Sequence, residues 1–312
     1  MNNVKLRKSE LFIFKMTDLL LKSSKLLTRY KIFPRHIYLT IKKVKDKNIM
    51  RWLDKTFKLS TSVKQYQGEN KNKVNKIWIC WLQGEDNAPD IVKKCIENIK
   101  VYNSEKFEVY IITWDNYKEY VQIPKHIHIK TEQGLISKTH FSDILRFALL
   151  AEHGGLWIDS TYLTLKPLPE YINEASFFTL AGNSENTNEF VPAGRWSGNF
   201  LKFPKNSEYA VFIRDIFYDY WEENDILIDY FLIDYLILLT YVSFEQFKRE
   251  IDDLPKYGEN SFLMSKIMFN KLNEMDDLKI ENDKIKIFKM SYKNIEQFIH
   301  RSEGTYYEKY IK

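Results

Sequence analysis

The sequence predicts an α/β fold whose sheet is built mainly from parallel strands. Three observations carry that reading. Apolar runs at Ile77–Leu82, Phe107–Thr113 and Leu156–Ile158 each end in polar or glycine-containing turns. Stretches with helical spacing separate them, and strands alternating with helices imply a parallel sheet. Gly154 and Gly155 then stop a strongly periodic helix just before the third of those runs.

The elements follow in order. Residues 1–70 read as a basic helical extension, set apart from a domain over 71–312. Phe12, Met16, Leu19, Leu20 and Leu27 share one side of a helical wheel, and Lys15, Lys22, Lys25 and Arg29 another. Such a helix can lie on an anionic membrane surface or pack on the main domain with its basic side in water. Pro34 breaks the pattern, and a second basic helix runs to about Phe57. Residues 66–75 read as a linker.

In the main domain, Ile77–Leu82 is a continuous apolar run ending at Gln83-Gly84, the pattern of a buried parallel strand. Pro89 starts a helix over about 88–102. Phe107–Thr113 is the second strand, ending at Trp114-Asp115, and Ile127–Lys130 reads as a short third one. The next helix carries Ile144, Leu145, Ala148 and Leu149 at helical spacing, with Thr139 or Ser142 as its cap. Leu156-Trp157-Ile158 follows as a buried strand with Asp159 at its end. Farther on, Ala193–Phe200 is a glycine-containing loop. Ile228–Ile237 is an apolar helix carrying Asp229 and Asp234.

Composition bounds the function. The chain has 312 residues, 44% hydrophobic and 15% aromatic, so it can bury a large core. Its net charge is only +5, but residues 1–58 hold 16 Lys/Arg against 4 Asp/Glu, a net of +12. A basic head on an acidic body points the head, not the body, at an anionic partner. The head lacks a nucleic-acid-binding motif, so no nucleic acid is expected. Cys80 and Cys95 have no ligand spacing, which argues against zinc and fits a reducing compartment. The longest apolar stretch, Phe231–Val242, is interrupted by Asp234 and too short to span a bilayer. No secretory signal is recognisable at the start. A cytoplasmic location, peripheral on the inner face of the membrane, is expected.

Ligands in parallel α/β sheets bind beyond the carboxyl ends of the strands. Gln83, Gly84, Trp114, Asp115 and Asp159 lie at such ends. Asp143 and Arg146, three apart, share a helix face. The same spacing also fits an ordinary intrahelical ion pair. Asp229 and Asp234 need partners or a functional site in so apolar a helix. His140 and His153 flank the periodic helix, where a histidine is more often structural. Trp196 and Asn199 sit in a loop that can either touch a ligand or simply pack.

Ile77-Trp78-x-x-Trp81, Ser142-Asp143-x-x-Arg146 and Gly154-Gly155-x-Trp157-x-Asp159-x-Thr161 together resemble the bacterial capsular polysaccharide synthesis glycosyltransferases. These belong to the wider group with the DXD sugar-binding motif, which includes yeast α-mannosyltransferases and clostridial toxin glucosyltransferases. Asp229-Tyr-Phe, Ser291-Tyr-Lys293 and Gly304-Thr-Tyr-Tyr307 are similar to the capsular subgroup. The resemblance covers roughly residues 75–310.

It implies a GT-A-like, Rossmann-like fold, a nucleotide-sugar donor (UDP before GDP), and retention of anomeric configuration. It implies that Trp78 borders the base; Gln83 and Gly84, at the end of the first strand, are further donor-binding candidates. Asp143 would hold ribose or sugar hydroxyls, and Arg146 the sugar or diphosphate. Asp159, with Ser160 and Thr161, would anchor the ribose and a diphosphate carrying Mn²⁺ or Mg²⁺. Thr161 departs from the motif, which has a second aspartate there. Lys293 would add positive charge, Trp196 and Asn199 would meet sugar, and Asp159, Asp229 and Asp234 are the catalytic candidates. The expected acceptor is a growing polysaccharide or lipid-linked oligosaccharide. A protein-modifying glycosyltransferase and a non-catalytic, membrane-associated binding protein are the alternatives.

Overall fold

A computed structural model describes residues 4–58, 74–182, 189–300 and 302–312. Two helices open the chain, α1 (Lys8–Arg29) and α2 (Arg35–Leu53), and α2 runs on as a wider π-helical turn over Asp54–Lys58. Pro34 immediately precedes α2, where its fixed φ suits a helix entry. Most of the expected 66–75 linker lies outside the described residues.

Five strands form the main sheet: β1 (Lys76–Cys80), β2 (Glu108–Ile112), β3 (Gly155–Ile158), β5 (Phe178–Thr179) and β6 (Phe200–Phe203). Their order is β2-β1-β3-β6-β5. The first three run parallel, with Trp78 opposite Tyr110 and Trp157. β6 pairs antiparallel with β3 and β5. A small second sheet joins β4 (Tyr162–Thr164) to β7 (Ile287–Lys289), also antiparallel. This is the α/β mixed sheet with parallel central strands that the sequence predicts.

Alternation along the strands sorts the core into two layers. Ile77, Ile79, Leu156 and Ile158 pack with Ile91, Ile96 and Ile99 of α3 (Asp90–Asn103). Trp78, Cys80, Trp157 and Leu201 face the other way, onto Ile144, Leu145 and Leu149.

The Ile127–Lys130 segment is not a strand. It lies in α4 (Lys125–Glu132), entered after Pro124. The Ile127/Ile129 alternation suggested a strand, but only Ile127 is buried. Its polar neighbours are anchored to the helix over Glu208–Glu223 and its cap: His126 meets the Tyr218 carbonyl at 3.1 Å, and Lys130 Nζ donates to the carbonyls of Trp221 and Asn224. The following helix, α5 (Lys138–His153), is capped by Ser137, which accepts from the His140 N–H. Neither Thr139 nor Ser142 is the cap.

Short α6 (Glu170–Glu174) and long α7 (Glu208–Glu223) precede α8 (Leu232–Ser243). The expected helix over 228–237 begins later, because Asp229 Oδ1 accepts from the Phe231 N–H and turns the chain before it.

The basic head shares the core of the main domain. Phe14, Ile49, Trp52, Leu53 and Phe57 belong to the same buried cluster as the α7 and α8 side chains. Trp52 meets Tyr220 edge-on at 6.0 Å. Lys45 pairs with Asp229 at 2.7 Å, and Tyr235 donates to Asp46. Packing therefore crosses the boundary expected at residue 70. No helix among the described residues is long and apolar enough to cross a membrane.

Candidate active site

The turn between α5 and β3 builds the site. Gly154 and Gly155 have φ of 67° and 100°, conformations that side-chain-bearing residues rarely adopt. They fold β3 back along α5, so the helix face carrying Asp143 and Arg146 comes beside the strand end carrying Asp159. A cavity of about 450 Å³ opens there. Its wall includes Trp81, Gln83, Ser142, Asp143, Arg146, Asp159, Ser160, Thr161, Asn199, Asp234, Lys289 and Lys293.

Asp159 is the hub. Its Oδ1 accepts from Trp157 Nε1 at 2.9 Å and Arg146 Nη2 at 3.2 Å, and its Oδ2 accepts from Lys289 Nζ at 2.6 Å. Burial alone would raise its pKa, but Lys289 and then Arg146 outweigh that and hold the carboxyl below its ordinary range. It is a fixed anion at neutral pH.

Arg146 is buried and points at several groups at once. It pairs with Asp143 Oδ1 at 3.2 Å, donates to the Gly198 carbonyl, and lies over the Trp157 ring at 4.8 Å. Its Nε is buried with no partner. The intrahelical Asp143–Arg146 pair thus exists, but it is one arm of a network reaching Asp159.

Asp234, in the first turn of α8, behaves differently. Burial pushes its carboxyl up to about 7; the Trp196 N–H and Arg146 oppose the rise, while Asp143 and Asp229 add to it. Trp196 Nε1 donates to its Oδ1 at 3.1 Å.

The structure gathers Gln83, Asp143, Arg146, Asp159, Ser160, Thr161, Asn199, Asp234 and Lys293 around this cavity. It does not bring four others to it. Trp78 is fully buried in mid-strand, stacks on Tyr110 at 4.8 Å and donates to the Gly154 carbonyl. A base cannot reach it. Trp81, just past the strand end, borders the cavity instead, and its indole N–H is buried without a partner. Gly84 is off the wall, in the turn where its N–H donates to the Trp81 carbonyl. Trp196 is 3% exposed, with the Arg195 guanidinium at 4.8 Å from its ring and the Tyr241 ring beside both. It cannot stack on a sugar and instead holds Asp234. Asp229 is taken up by Lys45 and faces a different cavity, so it is not placed as a catalytic group.

Asn199 lines the wall, and its Oδ1 accepts from the Tyr162 hydroxyl at 2.7 Å. His140 accepts from Trp221 Nε1, and His153 lies against the Tyr120 carbonyl; both are structural. Lys289 was missed by sequence reasoning. The alternation Ile285-Lys286-Ile287-Phe288-Lys289 carries a strand signal, but only the pairing of Lys289 with Tyr162 brings it to Asp159.

The residues present do not fit a divalent ion held by the protein. Both Asp159 oxygens are engaged, Oδ1 by Trp157 and Arg146 and Oδ2 by Lys289, and Ser160 and Thr161 bring only hydroxyls. Among the described residues no three His, Cys, Asp or Glu gather as ligands. Lys289 Nζ thus occupies one oxygen of the carboxylate that was expected to anchor a diphosphate carrying Mn²⁺ or Mg²⁺.

The family model described as "Capsular polysaccharide synthesis protein" matches residues 29–310. Its match therefore starts within the basic head and takes in α2, earlier than residue 75. No curated protein matches the chain. Among solved structures, one titled "PaToxG Glycosyltransferase" aligns over 67% of this chain and 84% of that one. Its identity is 14% and its TM-score 0.34, too low to carry an argument.

Proposed function

The chain belongs to the capsular polysaccharide synthesis protein family, and from that premise we propose that it is a retaining glycosyltransferase that moves a sugar from a nucleotide-sugar donor, a UDP-sugar first, onto a growing surface polysaccharide. The observation that carries this reading is the Arg146–Asp159–Lys289 network at the end of β3. Two cations held side by side by one carboxylate, with Lys293 on the same wall, suit a diphosphate leaving group. Asp143 and Asn199 offer acceptors for ribose or sugar hydroxyls. The unmet Trp81 indole N–H suits a carbonyl of the base.

The chemistry follows from those placements. The bond between the anomeric carbon and the diphosphate oxygen breaks, and its electron pair leaves with the nucleoside diphosphate. Arg146, Lys289 and Lys293 meet the charge that develops there. The acceptor oxygen forms the new bond, and its proton passes to Asp234. Asp234 is protonated below its shifted value, so transfer should fall as pH drops through about 7. Asp143, Arg146, Asp229 and Trp196 surround that carboxyl, so its titration is a property of the whole cluster. Hydrolysis of a panel of UDP- and GDP-sugars by the purified chain tests the reading. Turnover with at least one donor is expected, and none with any donor contradicts it. In Asp234→Asn the limb of the transfer profile near pH 7 should vanish. An unchanged limb removes Asp234 from proton transfer.

The acceptor is proposed to be lipid-linked, met at an anionic membrane face. α1 leaves Phe12, Leu19, Leu20 and Leu26 exposed, and the turn after it leaves Tyr30 and Ile32 exposed, beside Lys15, Lys22 and Arg29. Apolar side chains rimmed by lysine suit an interfacial helix. Each basic residue near the surface adds roughly 1 kcal/mol of attraction. Full-length protein should pellet with anionic liposomes, release in high salt, and lose binding in Leu19→Glu. Pelleting that Leu19→Glu leaves intact would rule α1 out as the contact.

A further inference from the structure

A second cavity, about 370 Å³, lies between the N-terminal helix pair and the start of α8. Leu21 and Lys25 of α1 and Tyr38 and Lys45 of α2 form one wall. The first and second cavities share three residues: Tyr230, Phe231 and Asp234 line both.

The shared edge is an aromatic ridge. Tyr230 is 60% exposed and Phe231 43% exposed. Their rings meet edge-on at 4.9 Å, and Phe190, also exposed, meets Phe231 at 6.2 Å. Behind the ridge the polar groups come as paired opposites. Lys45 bridges Asp18 at 2.6 Å and Asp229 at 2.7 Å, and Lys42 pairs with Asp46 at 2.6 Å. Four lysines and three aspartates line the cavity, so its charge is close to balanced. A phosphate-rich ligand would call for net positive charge. Open aromatic faces beside both donors and acceptors instead suit a neutral saccharide: its C–H faces lie on rings and its hydroxyls meet carboxylate and ammonium alike.

We propose that this second cavity is the acceptor site, taking the end of a saccharide chain that crosses the Tyr230–Phe231 ridge to present a hydroxyl to Asp234. The inference rests on the glycosyltransferase reading. It gives the N-terminal helices a part in the reaction, since without α1 and α2 the cavity has only one wall. In the transfer step the acceptor O–H bond breaks as the new bond to the anomeric carbon forms. Its proton goes to Asp234, and the donor's diphosphate leaves through the first cavity.

The test uses the full chain and oligosaccharides released by mild acid from the surface polysaccharide of the source cell. Saturation-transfer NMR reads their binding, and product analysis reads transfer separately from donor hydrolysis. Leu21→Trp fills the second cavity, and Tyr230→Ala removes the most exposed ring of the ridge. Oligosaccharide binding should weaken at least about tenfold in each, with transfer falling more than hydrolysis. If Leu21→Trp does not fold, Tyr230→Ala decides, because so exposed a ring carries little of the core. Binding and transfer at wild-type levels in folded Tyr230→Ala overturn the proposal. So does a parallel fall in transfer and hydrolysis without loss of oligosaccharide binding. Failure to hydrolyse any nucleotide sugar strikes the glycosyltransferase reading instead, and the NMR arm still decides whether the cavity holds saccharide.

Discussion

Replacing Asp159 by asparagine should lower glycosyl transfer by about 10²-fold or more while leaving a folded protein, because it removes the charge that holds two cations on the donor. The asparagine oxygen can still accept from Trp157, which protects the end of β3. It cannot neutralise Arg146 and Lys289, which then repel each other and lose their common aim. Asp159→Ala goes further: it strips a buried ion network of its central anion, and breaking such a network costs about 3–5 kcal/mol. Comparing the two by initial rate and thermal unfolding separates chemistry from stability. Near-normal turnover in folded Asp159→Asn would remove Asp159 from the mechanism. The pKa shift adds a sign. A carboxyl held below its ordinary range contributes stability that is present at neutral pH and lost as pH falls through the lowered value. In Asp159→Asn that part of the acid sensitivity should disappear.

The second large effect is structural. Gly154→Ala should cost about 3 kcal/mol or more. Its backbone, with φ 67° and ψ −163°, lies in a region nearly reserved for glycine, worth about 1–3 kcal/mol of strain. A Cβ there would stand 2.3 Å from the Lys205 nitrogen and 2.7 Å from the Pro204 carbonyl carbon. Those contacts are backbone and cannot swing aside, so overpacking adds about 1–3 kcal/mol more. The segment they belong to is itself tied to α5, since Asn206 N–H donates to the Ala151 carbonyl. Chemical denaturation should show the loss. A midpoint within error of wild type would mean that the turn yields and does not fix α5 against β3.

Much of this site was legible because its chemistry is local in sequence. Ser142–Thr161 contains the helix, the stop, the strand and the acidic end, and periodicity with glycine punctuation resolves all four. The errors are equally physical. Trp78 and Trp81 are alike in type, and only strand position separates them: the third residue of a five-residue strand faces the core, while the first residue past its end reaches the cavity. Asp229 and Asp234 look equivalent in an apolar stretch, yet the Asx turn at Asp229 sends it to Lys45 and leaves Asp234 to Trp196. Trp196 has the composition of a sugar-stacking residue and the burial of a packing one. Lys289 was out of reach because its pairing with Asp159 spans 130 residues and depends on the β4–β7 register. The head seemed separable because its charge differs from that of the body, but charge sets the outer side of α1 and α2. Their inner faces, through Phe14, Ile49 and Trp52, are core.

Calorimetric titration of the full chain with UDP in EDTA tests the central claim most directly, with Lys289→Met as the partner experiment. Binding of UDP without metal is predicted, weakened about tenfold or more when the Lys289 ammonium is removed, as for loss of a charge-assisted contact. UDP binding that appears only with Mn²⁺ and is indifferent to Lys289→Met would contradict it.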